Sequence, residues 1–367
     1  ATAALGTGAR RVRDPRVPFD QPWFDPDAWE PEPSTPEVNG ARVKVVRWQV
    51  FDDVSAEGLF LVPFPREPIA AVVAIPDADQ TPEMIAGLAP GLPPEGQFAL
   101  RLARSGCAVL VPALISREMA QRRSATLTHR EYLYRSAFEL GRHLAGYEVQ
   151  KVLAGVDGFS RDDFSKEKLP IGVCGWGEGG HIALCAGALD RRISAVLASG
   201  FFDGRGDVWQ EPIDRNVFGL LDQFGGAEIA SLIAPRALVI EAAKGPELTL
   251  PGKGGAPARL VTPPVEAVRR EVERARGLVA GLNPAPRLEL VESGGGTGPP
   301  MTDAAQKAFL SALVPGAALR EPGETPIPHP GESKIKTRLA RQICSANMSP
   351  AGYLPLVAFD PDQALAQ

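Results

Sequence analysis

The sequence lacks the features that mark several large classes of protein. It contains no apolar run as long as the roughly 18 residues that a membrane-spanning helix needs. Lysine and arginine form no block long enough for a nucleic-acid footprint, and the formal net charge is −5. We therefore predict no membrane span and no nucleic-acid partner.

Cysteine and histidine are scarce, with four residues of each among 367. The cysteines show no CxxC spacing. Cys107, Cys174 and Cys185 sit inside apolar stretches, where a buried free thiol is usual, and Cys344 lies near the C-terminus. From these residues we predict no metal site, and from the chain as a whole no cofactor.

Glycine and proline, by contrast, are abundant, with 38 and 36 residues. Hydrophobic residues make up 44% of the chain and charged residues 23%, which excludes a disordered acidic protein and a coiled coil and is typical of a globular one. The chain begins with Ala1 and has no initiator Met. That start is compatible with a processed secreted or periplasmic protein, with an excised piece of a longer chain or with a cytoplasmic protein, so we predict no compartment.

Proline concentrates at both ends of the chain. We predict a Pro-rich arm over residues 1–41, a globular domain over 42–313 and a Pro-rich extension over 314–367 with one short helix, Ser333–Ala346. The N-terminal arm also carries tryptophan and phenylalanine, which favours packing onto a surface. The arms are candidate contacts with other protein subunits.

Between the arms, short apolar runs alternate with helical segments. Arg42–Phe51 and Gly58–Val62 read as an antiparallel hairpin. A long helix is predicted from Thr128 to about Val156, with Thr128 and Glu131 as a capping box, and another over Pro264–Val279. Six continuous apolar runs have the character of buried strands: Ala70–Ile75, Cys107–Val111, Ile171–Cys174, Ala195–Ala198, Ala237–Ile240 and Leu288–Val291. We predict an α/β fold, a mostly parallel twisted sheet of about eight strands with helices on both faces.

The segment Ile171–Leu189 carries the most chemical information, because a buried strand leads through a glycine-dense turn into an apolar helix. One interpretation is the dinucleotide fingerprint GxGxxG, matched by Gly175, Gly177 and Gly180. That motif needs an acidic residue roughly 20 residues later to hold the ribose. The first such carboxylate after the next strand is Asp203, which is displaced into a loop, so this interpretation stays an alternative.

The other interpretation is the nucleophile elbow GxSxG, whose frame the residues Gly175–Gly179 reproduce. Two further segments, Asp190–Val196 and Ala234–Ile240, are similar to the routes by which the α/β-hydrolase family enters its sixth and seventh strands. From Arg42 to Leu313, about three quarters of the chain, the sequence resembles an α/β-hydrolase similar to dienelactone hydrolases and acetyl xylan esterase-like enzymes.

This resemblance implies ancestry among carboxylic-ester hydrolases with a Ser–His–acid triad, but the triad positions differ. The nucleophile position is Gly177, and the acid position falls near Lys244, with Glu241 and Glu247 close by. The loop Ser293–Pro300, where the base is expected, contains no histidine. We predict a domain without the standard triad that serves as a binding or scaffold module. The resemblance implies a small ester or carbohydrate as its ligand.

An active hydrolase with an unusual constellation is the alternative. Glu178, His181 and Asp203 are the candidate substitutes, with Glu247 a further one. The resemblance also implies an oxyanion hole that includes the backbone N–H of Glu178. We expect the pocket to be lined by Asp77, Asp79, Trp176, Glu178 and Thr297.

The Glu178 carboxylate has a simpler interpretation, a charge stabilised at a helix N-terminus. The charged residues Asp203, Arg205, Asp214 and Arg215 follow the sixth strand, and loop caps and ion pairs are favoured there over a cation or sugar site.

The remaining histidines and one cysteine are weaker candidates. His129 and His143 lie on the predicted long helix, and we expect them to be surface or interface residues. His329 lies in the C-terminal extension and would have to fold back to reach a pocket. Cys174 sits on a buried strand, where nothing electropositive would activate its thiol.

Overall fold

The computed structural model of this chain describes residues 37–38, 40–51, 54–121, 125–161, 164–165, 167–251 and 257–321. The predicted arm up to residue 36, the histidine His329, the cysteine Cys344 and the helix Ser333–Ala346 lie outside these residues. The proposed division into domain and arms therefore stays a prediction.

Each of the six predicted apolar runs forms a strand, and five of them are buried as expected. The buried character predicted for the sixth, Leu288–Val291, is wrong, because this strand lies at the edge of the main sheet, contains Glu289 and is half-exposed. In chain order the strands are β1 (Glu37–Val38), β2 (Ala41–Phe51), β3 (Val54–Pro63), β4 (Ala70–Ile75), β5 (Cys107–Pro112), β6 (Met119–Gln121), β7 (Thr126–Thr128), β8 (Ile171–Trp176), β9 (Ile193–Ser199), β10 (Ala237–Ala242), β11 (Leu248–Thr249), β12 (Arg259–Leu260) and β13 (Arg287–Glu292). The pairs β6–β7 and β11–β12 are small separate hairpins.

The main sheet of the described residues has nine strands in the order β1-β2-β3-β5-β4-β8-β9-β10-β13. Its first strand, β1, is only two residues long, so the prediction of about eight strands is confirmed. Strands β2 and β3 form the expected antiparallel hairpin, and β5, β4, β8, β9, β10 and β13 run parallel. Both β4 and β5 are buried along their whole length, which explains their unbroken apolar sequences.

Helices cover both faces of the sheet. They are α1 (Pro82–Ile85), α2 (Phe98–Arg104), α3 (His129–Glu139), α4 (Leu144–Phe159), α5 (Glu178–Leu189), α6 (Gly226–Ser231), α7 (Val265–Leu278) and α8 (Asp303–Leu313). At Gly172 of β8 the neighbouring side chains are Phe309 and Leu313 of α8, whereas at Gly175 the neighbour is the backbone of α5. Since these two glycines point to opposite faces of the strand, α5 and α8 lie on opposite sides of the sheet.

The predicted long helix Thr128–Val156 is wrong, because the chain forms two helices there, α3 and α4. The first ends at Glu139 with Leu140 as its C-cap, and the next residue, Gly141, has φ +70°, the left-handed conformation that commonly terminates helices. Thr128 does cap α3, accepting a hydrogen bond from the Glu131 N–H at 2.9 Å. The capping box is incomplete, since the Glu131 carboxylate pairs with Arg135.

The expectation that His129 and His143 are surface or interface residues is also wrong. Both side chains are buried. His143 precedes α4 at the break between the helices, and its Nε2 accepts a hydrogen bond from the Phe218 N–H at 3.0 Å. Among the described residues, no helix is both long and apolar enough to cross a membrane.

Candidate functional site

The glycine-dense turn forms an elbow near the middle of the sheet. Strand β8 lies between β4 and β9, it ends at Trp176, and α5 begins at Glu178. Gly177 is the residue between them, with φ 58° and ψ −117°. A positive φ favours glycine, since a Cβ there meets the backbone. The predicted strand–turn–helix placement of Gly177 is confirmed.

A carboxylate occupies the space beside Gly177. Asp77, which follows β4 at the same edge of the sheet, places its Oδ2 2.6 Å from where a Cβ on Gly177 would lie. The same oxygen accepts a hydrogen bond from the Glu178 N–H at 2.9 Å. The other two nearest atoms to that Cβ position belong to Pro246. The amide proton expected in an oxyanion hole is therefore donated to the chain's own Asp77.

Arg117 holds this carboxylate in place. Its Nη1 donates to Asp77 Oδ1 at 2.6 Å, and both side chains are buried. Burial by itself raises the pKa of Asp77, but the charge and hydrogen bonds of Arg117 outweigh it and lower the pKa below the ordinary value. Asp77 is therefore ionised at neutral pH. Arg117 Nη1 also donates to the exposed carboxylate of Asp79 at 3.0 Å.

Glu178 is the centre of a buried group of charges. Its side chain is fully buried, with Oε1 3.1 Å from Arg130 Nη2 and Oε2 3.1 Å from Arg215 Nε. Arg117 Nη2 lies 3.5 Å from Oε2, and His181 Nδ1 lies 3.5 Å from Oε1. Burial raises the pKa of Glu178, but the surrounding cations outweigh it and hold the pKa well below its usual range. The carboxylate thus neutralises cations inside the protein.

Arg130 joins Glu178 to two further carboxyl groups. It donates to Asp214 Oδ2 at 2.6 Å and to Glu148 Oε1 at 2.9 Å, and all three side chains are buried. We call this connected set the buried charge network: Asp77, Arg117, Arg130, Glu148, Glu178, His181, Asp214 and Arg215. The four positive charges of its three arginines and the protonated His181 equal the four negative charges of its carboxylates. This pairing offsets the cost of removing these charges from water.

His181 lies within this network, one turn into α5. Its ring stacks on Phe201, with the centroids 4.7 Å apart and an angle of 20° between the planes. Burial lowers the pKa of His181, but the neighbouring thiol of Cys185 and carboxylate of Glu178 outweigh it and raise the pKa to about 9. The imidazole is therefore protonated at neutral pH, which makes it a poor general base there.

The raised pKa of His181, about 9, predicts a stability that depends on pH. In the unfolded chain the pKa of His181 is about 6.5. The stabilisation that the protonated side chain gives the fold is therefore complete below that pH and is lost as the pH rises toward 9. We expect the free energy of unfolding to fall by about 1–2 kcal/mol between about pH 6 and about pH 8, below the range in which thiols ionise. Urea denaturation at several pH values measures this.

The matched control for that experiment is His181→Gln. This variant removes the titrating group, so its stability should change much less with pH over the same interval. An equal slope in both proteins would show that other groups cause the effect.

The other predicted site residues do not converge on the elbow. Asp203 is half-buried near α5, where its Oδ1 accepts from the Arg205 N–H at 2.8 Å and burial raises its pKa. Glu247 is exposed and accepts a hydrogen bond from Thr262 Oγ1 at 2.7 Å. Thr297 is also exposed, and its hydroxyl donates to the carbonyl of Gly294 within its own loop.

Two residues near the triad positions support the fold. Trp176 Nε1 donates to the Lys244 carbonyl at 2.8 Å. Glu241 is buried at the end of β10 and accepts hydrogen bonds from Ser199 Oγ at 2.6 Å and from the Thr302 N–H at 2.9 Å. Because Thr302 caps α8, Glu241 anchors the start of that helix.

The three predicted buried cysteines are confirmed as free and buried. Burial raises the pKa of Cys107 to about 12, and that of Cys174, where burial is also the main cause, is raised further. Neither thiol is a thiolate near neutral pH. Within the described part of the chain, no group of three or more His, Cys, Asp and Glu residues is placed to hold a metal ion.

Arg117, Arg130 and Glu148 were not predicted from the sequence as site residues. The sequence around Glu148 gave no clear signal, because Lys151 follows three residues later in α4 and could pair with it on an exposed helix face. Arg130 and Arg117 carried no signal either, because arginines at the start of a helix or in a loop are ordinarily exposed.

The glycines of the dinucleotide motif have a packing role here. A Cβ on Gly175 would lie 2.3 Å from the Gly179 backbone, and one on Gly180 would lie 3.0 Å from the Ser199 carbonyl oxygen. These glycines let α5 approach β8 and β9 closely. The first amide of α5 already donates to Asp77, so this geometry gives the nucleotide interpretation no support.

Strand order, the elbow and the helices on both faces define the α/β-hydrolase fold. The structure is similar to an acetyl xylan esterase candidate from Bacteroides fragilis NCTC 9343, with TM-score 0.53, 17% identity, and coverage of 70% of this chain and 67% of that one. At this identity the likeness shows the fold alone.

Two further structures are similar at TM-scores of 0.47. One is acetyl xylan esterase 1 from Thermoanaerobacterium sp., at 13% identity with 83% of this chain and 96% of that chain covered. The other is a glucuronoyl esterase from Solibacter usitatus, at 12% identity with 75% and 81% covered. Of these three likenesses, the one to the Bacteroides structure supports the fold assignment. No protein-family model and no curated protein sequence matches the chain.

Proposed function

We propose that this chain is an α/β-hydrolase-like binding module that does not hydrolyse esters through a Ser–His–acid triad. The observation that carries the proposal is the position of Asp77. Its carboxylate lies 2.6 Å from the Cβ position at Gly177 and accepts the Glu178 N–H. A substrate oxyanion would need the same amide proton, and it would meet an ionised carboxylate there.

The surrounding residues support the same proposal. Gly177 has no side chain to attack a carbonyl carbon, and the loop Ser293–Pro300 supplies no histidine. The nearest histidine along the chain, His181, is held between Phe201 and Glu178. Without a positioned base, a hydroxyl near neutral pH is a weak nucleophile.

An ester assay tests this proposal. The folded protein should hydrolyse p-nitrophenyl acetate no faster than the same protein unfolded in urea, because only surface nucleophiles react. A serine esterase serves as the positive control. A saturable rate that a serine- or cysteine-directed inhibitor abolishes would refute the proposal.

The alternative constellation of Glu178, His181 and Asp203 is less well supported. Glu178 is engaged by three arginines, and losing its charge would remove the carboxylate that all three share. Asp203 instead interacts with the backbone of Arg205. If hydrolysis were observed, Asp203→Asn would separate this constellation from surface chemistry.

We also propose a ligand class for the module, a small ester or a carbohydrate. The similar Bacteroides structure is named as an acetyl xylan esterase candidate, which favours a small ester or a carbohydrate as the ancestral ligand. Contacts between the Pro-rich arms and other protein subunits remain part of the proposal.

A further inference from the structure

Exposed aromatic and aliphatic side chains form a patch where α3 ends. Phe138 and Leu140 lie at the C-terminal end of that helix and are 44% and 43% exposed. Phe218, which is 70% exposed, lies in the segment after β9 and packs edge-on against Phe138, with the ring centroids 6.1 Å apart. Leu221, three residues further along, is also exposed. We call these four residues the aromatic patch. A connected group of large apolar side chains in water commonly marks a contact site.

The N-terminal arm has the composition of an occupant for this patch. Residues 17–36, which lie outside the described residues, contain six prolines and the aromatic side chains of Phe19, Trp23, Phe24 and Trp29. Repeated proline excludes a helix, so the sequence provides no amphipathic helix in which these rings could pack against one another. Each such ring buries about 150–250 Å² when it is packed. The free energy of that burial favours an apolar surface as their partner.

Helix α4 leads from the aromatic patch toward the start of β2. His143, which precedes its first residue, contacts Phe138 with the ring centroids 6.1 Å apart. Phe159, the last residue of α4, contacts Phe60, and Phe60 is paired with Lys44 near the start of β2. Because a helix rises 1.5 Å per residue and a strand about 3.3 Å, the start of β2 lies about 30 Å from the patch.

The N-terminal arm enters the main sheet within reach of the patch. It joins β1 at Glu37, and β1 pairs with the start of β2 at one edge of the sheet. Trp23 and Phe24 precede Glu37 by 14 and 13 residues, and 13 extended residues span up to about 43–47 Å. Two other exposed apolar residues, Leu278 and Leu282, lie at or after the end of α7, which packs against β13 at the opposite edge of the sheet. The aromatic patch is therefore the better placed of the two surfaces.

The charge beside α4 also suits this segment. Arg142 precedes α4 and donates to the Tyr147 hydroxyl at 2.8 Å, and it has no carboxylate partner among the described residues. The first turn of α4 contains no acidic residue, so the positive end of the helix dipole favours an anion there. Residues 17–36 contain five carboxylate side chains and neither lysine nor arginine. The exposed Glu139 and Asp222 offset part of the positive charge, so aromatic burial contributes more to the match than charge does.

We propose that the N-terminal arm runs back along α4 and places Trp23 and Phe24 on the aromatic patch of its own chain. This inference narrows the proposed role of that arm from contacts with other subunits to a contact within the chain. It does not involve the elbow, so it and the proposal of a non-catalytic elbow can fail separately.

Limited proteolysis of the full chain with chymotrypsin tests the contact, because this protease cleaves after accessible tryptophan and phenylalanine. Phe218→Ser removes the most exposed member of the aromatic patch, and Leu282→Ser is the matched control, since Leu282 is 48% exposed and lies beyond α7. Mass spectrometry locates the cuts. We expect cleavage after Trp23 and Phe24 to be at least fivefold faster in Phe218→Ser than in the unmodified protein, and unchanged in Leu282→Ser. Equal cleavage rates in all three proteins would overturn the inference.

Paired cysteines show whether the arm reaches the patch of its own chain. In a Cys344→Ser background the three remaining natural cysteines are buried. Asp25→Cys then places a thiol next to the aromatic pair of the arm, and Asp222→Cys places one next to the patch. With glutathione disulfide as oxidant and dilute protein, we expect a disulfide within one chain. It should form at least tenfold faster than in the control that combines Asp25→Cys with Glu273→Cys on the exposed face of α7.

Two results of the cross-linking experiment would overturn the inference. Equal rates in the two cysteine pairs would show that the arm has no preference for the aromatic patch. Disulfides that form between chains would assign the patch to the arm of a second copy. Because no ester is used, failure of these experiments leaves the proposal of a non-catalytic elbow to the p-nitrophenyl acetate assay.

Discussion

Arg130→Met should destabilise the protein by about 3–5 kcal/mol, enough to unfold many domains of ordinary stability. Arg130 is fully buried and holds Asp214, Glu148 and Glu178 at distances of 2.6–3.1 Å. Methionine fills similar space but supplies no charge. Three buried carboxyl groups would then lose their common partner, and Arg117 and Arg215 contact only Glu178 among them.

The free energy of unfolding measured by urea denaturation checks this result. The matched control is Arg135→Met on the same helix, because Arg135 is partly exposed and pairs with Glu131 at 2.8 Å. An exposed pair of this kind contributes about 0.2–1 kcal/mol. Equal losses in the two variants would show that the buried charge network does not stabilise the fold as the contacts indicate.

Gly177→Ser should restore the GxSxG sequence at a large cost in stability and without restoring activity. Backbone strain at φ 58° contributes roughly 1–3 kcal/mol, and crowding in a packed site roughly 1–3 kcal/mol more. The crowding arises because the new Cβ would lie 2.6 Å from Asp77 Oδ2 and 3.0 Å from Pro246. Asp77 cannot move away without giving up its bonds to Arg117 and Glu178.

Two measurements on the Gly177→Ser variant separate stability from chemistry. Gly177→Ala adds the same Cβ without a hydroxyl, so it should lose nearly as much free energy of unfolding. A double-mutant cycle with Asp77→Ala should give a favourable coupling of about 1–3 kcal/mol, since removing the carboxylate relieves the contact. Neither serine-containing protein should react with a fluorophosphonate. Stoichiometric labelling at the rate of a serine hydrolase would mean that a base is present and that our interpretation of the elbow is wrong.

The sequence by itself predicted the parts of this protein that depend on local pattern. Buried parallel strands are apolar runs, and this is why the strand Ile171–Cys174 and its counterparts in β4, β5, β9 and β10 could be located. The sixth run forms the half-exposed edge strand β13, which contains Glu289. The turn at Gly177 was equally predictable, because closely spaced glycines between a strand and a helix are typical of the tight turn of a nucleophile elbow. The cysteines within those runs were predictably buried.

Only the tertiary structure decided the character of the site. Asp77 and Glu178 are about a hundred residues apart in sequence, and Arg130, Glu148 and Asp214 come from three further elements. Each of these residues looks like an ordinary surface charge when its neighbours in sequence alone are considered. Asp77 meets the elbow because parallel strands bring the segments after their carboxyl ends to one edge of the sheet, whereas Arg130 and Glu148 reach it from the helices α3 and α4.

The break between α3 and α4 also depended on tertiary contacts. The single Gly141 is a weak signal within a long helical pattern, whereas the buried His143 gains a hydrogen bond from the Phe218 N–H when the helix ends before it. Local pattern therefore determined the fold and the elbow. The contact of Asp77 with the elbow joins residues that are far apart in the sequence, and no periodicity or motif predicts which distant segments pack together.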